Sequence, residues 1–201
     1  LDMPLGDYMN GNTYLDKSGY SNSGTNSGSI LTTNRFNKQN KASYFDGVDD
    51  YVNIASSTSL NNFSDMTISF WINWTGVYGE DIIINKEACF EIASQSGYLQ
   101  YATKPWEWRG TPVINPNTWY YAAYTHDGDG FQKIYINGIE VYSNTSSGNI
   151  SNLSVVTTLG ARSAGTLNYY KGSIDDVKIY NRYLTSDEIK HNYDIESNYS
   201  E

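Results

Sequence analysis

The sequence predicts an all-β fold, two antiparallel sheets packed face to face as a jelly-roll sandwich with one short C-terminal helix. Three observations carry this. Met66, Ile68, Phe70, Ile72 and Trp74 alternate with Thr67, Ser69, Trp71 and Asn73, a period of two that gives a strand one apolar face. Asn137-Gly138 lies between alternating β-branched and aromatic residues and supplies the two left-handed positions of a type I′ hairpin turn. About a dozen short strand-like segments with Gly and Asn turns between them leave no helices to wind a parallel sheet.

In chain order, residues 1–41 are poor in aliphatics and rich in Gly, Asn, Ser and Thr. They read as short strands joined by turns at Asn10-Gly11 and Asp16-Lys17-Ser18-Gly19, anchored by Tyr8, Tyr14, Leu15, Tyr20 and Phe36. A low-complexity linker is the competing reading. Residues 42–54 form two strands around Asp46-Gly47-Val48-Asp49-Asp50, whose three acids face water or meet a cation. Residues 66–74 are the core strand, with Trp71 on its other face, displayed or covered by a loop or strand. Ile82–Ile84, Cys89–Ala93 and Tyr98–Tyr101 follow, and then an irregular aromatic segment, Lys104–Pro112.

Trp119 to Tyr142 reads as three consecutive strands, with a turn cluster at His126–Gly130. The two-residue hairpin loop sets Ile136 opposite Ile139 and Ile134 opposite Val141 on one face, and Tyr135 opposite Glu140 on the other. A strand at Val155–Leu159, a loop at 160–172 and a strong strand at Ser173–Tyr180 complete the sheets. Thr185-Ser186-Asp187-Glu188 is a capping box, and Ile189 and Tyr193 share a face at i and i+4 of the helix that it starts. This helix is expected to close one end of the sandwich.

Length and composition fit one domain over residues 1–201. A formal charge of −9 opposes nucleic acid and anionic membranes, both of which need a basic footprint, and favours a neutral or cation-bearing partner. No apolar run is long enough to cross a bilayer, so membrane insertion is not expected. Cys89, the single cysteine, excludes an intrachain disulfide and reads as a buried small apolar residue. The start at Leu1 is read as a mature form or an excised domain. Few Lys and Arg beside many Asn, Ser, Thr and Tyr suit an extracellular or cell-surface location.

Three stretches resemble one family: YFDGVDDYV (44–52), WYYAAYTHDGDGFQKIYINGIEV (119–141) and GSIDDVKIYNRYLTSDEI (172–189). They are similar to laminin G-like, concanavalin A-like jelly rolls, found as accessory domains of secreted microbial proteins. The resemblance implies a module covalently linked to neighbouring domains. It also implies a structural calcium on the outer face of the sandwich, held by Asp175, with Asp16 and Asp46 as further carboxylates and backbone carbonyls completing six to eight oxygens.

The sandwich hosts lectins, adhesins, lyases and hydrolases, so function is read from side chains. Retaining glycosidases need two carboxylates at a set separation; Glu87 and Glu91 lack the spacing and the intervening Asp. His126 and His191 read as surface histidines, and there is no nucleophile elbow or phosphate loop. Sugar binding needs a flat ring beside bidentate hydrogen-bonding groups, which Trp106-Glu107-Trp108-Arg109 offers between Pro105 and Pro112. Tyr101, Tyr78, Tyr169 and Asn168 join this site if the loops converge; alternatively, the tryptophans plug an end of the sandwich. The expectation is a non-catalytic extracellular domain that binds a polysaccharide or glycan. The alternatives are an adhesion or structural module, and a polysaccharide hydrolase or lyase.

Overall fold

A computed structural model describes residues 1–6, 9–76, 79–103, 108–145 and 150–198. Among these are β1 (Asp2–Met3), β2 (Met9–Asn10), β3 (Thr13–Tyr14), β4 (Gly24–Ser27), β5 (Ile30–Thr32), β6 (Ala42–Asp46), β7 (Tyr51–Ile54) and β8 (Met66–Trp74). The chain continues through β9 (Glu80–Lys86), β10 (Phe90–Gln95), β11 (Tyr98–Thr103), β12 (Arg109–Val113), β13 (Trp119–His126), β14 (Phe131–Ile136), β15 (Ile139–Thr145), β16 (Thr157–Leu159) and β17 (Lys171–Tyr180), and ends in helix α1 (Ser186–Asn198).

The strands form two sheets. One has the order β15-β14-β13-β8-β17-β6-β5, with β1 on β17; the other has nine strands, β12-β11-β10-β9-β16-β7-β4-β3-β2. Every ladder is antiparallel, as expected of a sandwich. The period of two in β8 does what the sequence predicts. Met66, Ile68, Phe70, Ile72 and Trp74 all enter the inter-sheet core, where they meet Ile84, Phe90, Ile92, Leu99 and Tyr101 from the facing sheet.

The other face of β8 is not displayed. Trp71, Tyr121, Ala123 and Tyr135 form an apolar patch on the outside of the first sheet, and Leu184 and Ile189 cover it. The terminal helix therefore lies across a sheet face instead of closing an end of the sandwich. Its capping box forms as predicted: the Thr185 amide donates to Glu188 at 2.9 Å, and the Glu188 amide donates to Thr185 Oγ1 at 3.3 Å. At its other end Glu196 accepts from the Trp71 indole at 2.8 Å and from Lys178 Nζ at 2.7 Å.

Two further expectations change. In the β14–β15 hairpin Ile136 faces Ile139 and Tyr135 faces Glu140, but Ile134 then pairs with Tyr142, skipping Val141. A bulge at this sheet edge increases local twist, and Ile139 turns out to solvent. His126 is buried at the end of β13, paired with Met66 and Gln132 on neighbouring strands, and is not a surface residue. Cys89 is buried and free, as its apolar neighbours imply.

Candidate functional site

The pairing register of the nine-stranded sheet aligns one transverse row of residues: Thr25, Asn53, Thr158, Asn85, Glu91 and Ala102, on β4, β7, β16, β9, β10 and β11. Paired residues share a face, so this row is outward, while the neighbouring row of Val52, Leu159, Ile84, Ile92 and Tyr101 is inward. Side-chain bonds run along the outer row. Thr158 Oγ1 donates to Asn53 Oδ1 at 2.9 Å, and Asn85 Nδ2 donates to Glu91 Oε2 at 2.8 Å.

The segment between β16 and β17 folds back over this row. Its ends meet where the Tyr170 amide donates to Gly160 O at 2.8 Å, and the Ile82 amide donates to Asn168 O at 3.0 Å. Arg162 is its clasp. The guanidinium donates from Nε to Glu91 Oε2 at 2.8 Å, from Nη2 to Glu91 Oε1, from Nη2 to Glu80 Oε1 at 2.8 Å and from Nη1 to Asn168 Oδ1 at 3.5 Å. The bonds it donates to Glu91, and then to Glu80, hold its pKa above the ordinary arginine value against the effect of burial. Ser163 completes the contact: its amide donates to Asn85 Oδ1 at 3.3 Å and its hydroxyl to Glu87 Oε2 at 3.0 Å.

The residues expected to bind sugar are divided by this arrangement. Tyr169 lies in the covering segment, half-buried, with its hydroxyl donating to Gly165 O at 2.8 Å. Asn168 Nδ2 donates to Glu80 Oε2 at 3.2 Å. Arg109 pairs with Tyr101 through the backbone, and the half-buried Trp108 immediately precedes β12. Tyr101 itself is a correction. It faces the core, 2% exposed and stacked on Tyr124, so its ring offers no face to a ligand. Trp106, Glu107 and Tyr78 lie outside the described residues.

Arg162, Glu91, Asn85 and Asn53 belong to the site but were not expected there. The only local signal was polarity at outward positions of otherwise apolar strands. Register across four strands, not spacing along the chain, brings them together.

The calcium ligands do not fit one ion. Asp175 is 3% exposed at its side chain, and Arg35 Nη1 lies 3.2 Å from it and 3.0 Å from Asp176. Burial, and then Asp176, raise its carboxyl well above the ordinary range, with Arg35 opposing. Asp16 is satisfied by the Asp2, Ser18 and Asn22 amides and the Ser18 hydroxyl at 2.8–2.9 Å. Asp46 pairs with Lys171, four residues before Asp175 on β17, hence roughly 13 Å along the strand. Asp46, Asp49 and Asp50 do bring carboxylate oxygens within 4.8 Å of one another. The turn's own amides account for that grouping: Val48 donates to Asp46 and Asp46 to Asp50, both at 2.8 Å.

The fold is similar to that of botulinum neurotoxin binding domains. The serotype D binding domain superimposes with a TM-score of 0.76 at 16% identity, over 98% of this chain and 51% of that one. The serotype G binding domain gives 0.76 at 18%, over 98% and 51%. A serotype D ligand-binding domain in complex with N-acetylneuraminic acid gives 0.76 at 16%, over 98% and 50%. The chain spans about half the length of these structures, and at such identity the likeness is one of fold. No curated protein sequence matches the chain. Among the described residues no helix is long and apolar enough to cross a membrane. A laminin G-type profile of the Concanavalin A-like lectin/glucanases superfamily matches residues 45–190, well over half of the sequence, and the chain belongs to that family.

Proposed function

We propose that this chain is a non-catalytic glycan-binding domain of a larger secreted or cell-surface protein, and that it binds through the outer face of the nine-stranded sheet. The observation that carries the reading is the Arg162 clasp, which with Ser163 holds Glu80, Glu87 and Asn168 over the buried Asn85 and Glu91. Sugar hydroxyls need donors and acceptors that are already oriented, because ordering flexible side chains on binding costs affinity. Tyr169 and Trp108 supply rings beside the patch for C–H faces. Membership of a lectin and glucanase family, and a similarly folded domain solved with N-acetylneuraminic acid, support this class of ligand.

The non-catalytic part rests on the carboxylates. Glu91 and Glu80 both accept from Arg162, which turns their carboxylates to the arginine and not to a bound substrate. Calcium is not part of this reading, since Asp175 already has Arg35 as its cation.

Titration with a panel of soluble polysaccharides tests the proposal, comparing wild type with Trp108→Ala, Asn168→Ala and the double Trp106→Ala, Trp108→Ala variant. Binding by wild type that Asn168→Ala and Trp108→Ala each weaken supports it. Equal binding by all variants removes this face as the site, and products from the panel reveal an enzyme.

A further inference from the structure

One end of the inter-sheet core is polar. Asp81 on β9 pairs with Ser94 on β10, and Ser94 with Leu99 on β11, so all three share the inward face to which Leu99 belongs. On the other sheet Trp74 ends β8, also facing inward, and its partner on β17 is Gly172. A Cβ at Gly172 would lie 2.6 Å from the Tyr170 hydroxyl oxygen, so the glycine makes room for that hydroxyl beside the end of β8. Electrostatics link the two sides. Burial raises the Asp81 carboxyl and the Trp74 indole opposes it, while burial, and then Asp81, raise the Tyr170 hydroxyl.

Asp81 is 8% exposed, Trp74 3%, and Ser94 and Tyr170 are fully buried. Among the described residues, Asp81 Oδ2, Trp74 Nε1, Ser94 Oγ and Tyr170 Oη make no hydrogen bond. Buried polar atoms without partners are uncommon, and four at one end of a core call for a shared partner. They comprise a carboxylate acceptor, an indole that can only donate, and two hydroxyls that do either. A metal cation here would meet the indole N–H, and an anion would meet the carboxylate. A water molecule donates to the one and accepts from the other. We propose that Asp81, Trp74, Ser94 and Tyr170 enclose a binding site for an internal water, which bonds the end of the 160–172 segment to β9. Tyr170 closes that segment through its amide to Gly160 O, and Asn168 O accepts from the Ile82 amide. The water therefore lies beneath the attachment of the segment that carries Asn168 and Tyr169, whether or not that face binds a glycan.

A crystal structure of the wild-type chain at a resolution that orders solvent tests this. It should show a water about 2.7–3.2 Å from Asp81 Oδ2, from Trp74 Nε1 and from at least one of the two hydroxyls. Asp81→Asn keeps an acceptor and should keep the water. Asp81→Leu should expel it, removing one long-lived water from the oxygen-17 relaxation dispersion, and should speed hydrogen exchange of the Ile82 and Tyr170 amides about tenfold while the amides of β13 stay at their wild-type rates. Direct bonds among the four side chains, a density peak at metal–ligand distances, or wild-type exchange at Ile82 and Tyr170 in a folded Asp81→Leu overturns the proposal. Should Asp81→Leu not fold, the wild-type structure decides alone, because the water is either bonded to Asp81 and Trp74 there or it is not.

Discussion

Arg35 places its guanidinium 3.2 Å from the Asp175 carboxylate and 4.3 Å from the centre of the Trp71 ring. The location follows from a gap in the sheet. Along one edge β17 pairs with β6 through Lys171–Ile174 and with β1 through Val177 and Lys178, leaving Asp175 and Asp176 between the two ladders. Arg35 occupies that gap, and its Nε donates to Glu196 O at 3.0 Å, tying the N-terminal region to the last strand and the end of the helix.

Arg35→Ala leaves a buried carboxylate without its cation and should cost about 3–5 kcal/mol, read from urea denaturation. Because the arginine holds the place of an ion, neither calcium nor a chelator should move the wild-type melting temperature. A calcium-dependent rise that Asp175→Asn abolishes would reinstate the metal.

Glu196 acts with it. The carboxylate serves both the Trp71 indole and Lys178, so Glu196→Ala strands a buried indole and a half-buried ammonium and should destabilise by about 2–3 kcal/mol. Loosening the helix also wets the Trp71 ring, which now stacks on Tyr193 at 6.0 Å, and tryptophan emission should shift to longer wavelength before global unfolding. An unshifted native spectrum and unchanged stability would rule out the latch.

Tyr101→Ala tests the corrected assignment. Removing a fully buried aromatic ring should cost about 3–5 kcal/mol, while glycan affinity of the remaining folded protein stays at the wild-type level. Lost affinity at unchanged stability would return Tyr101 to the binding site.

Two aspartates should respond to pH with opposite sign. Burial raises the Asp81 carboxyl above the ordinary range, partly opposed by Trp74. A raised native value means that its contribution to stability is full below the ordinary carboxylate range and is lost as pH rises through the native value. Asp81→Asn should therefore be stabilising relative to wild type at neutral pH and lose that advantage in acid. Burial also acts to raise Asp16, but its hydrogen bonds from Asp2, Ser18 and Asn22 lower it overall. Its contribution is present above the ordinary range and lost as pH falls through the lowered value, so Asp16→Asn should be weaker than wild type at neutral pH and converge with it in acid. Denaturation midpoints across the acidic range read both; parallel profiles for either variant and wild type would contradict the assignment.

The elements legible in the sequence are those whose determinants are local. The alternation from Met66 to Trp74 specified a strand and its inward face, because successive side chains must point to opposite sides of a sheet. Asn137-Gly138 specified the hairpin turn, and Thr185 with Glu188 specified where the helix starts. The motifs at 44–52, 119–141 and 172–189 identified the family, and the profile match over 45–190 agrees. What sequence could not decide depends on which distant segments become neighbours. Trp71 has the same outward position whether it meets water or a helix, and only packing put Ile189 and Tyr193 over it. Asp175 has the same chemistry toward calcium or a guanidinium, and a gap between two ladders chose Arg35. The outer row is the strongest case: Asn53, the Asn85–Glu91 hairpin pair and Arg162 are far apart in the chain, and they come together only after strand order and register are set.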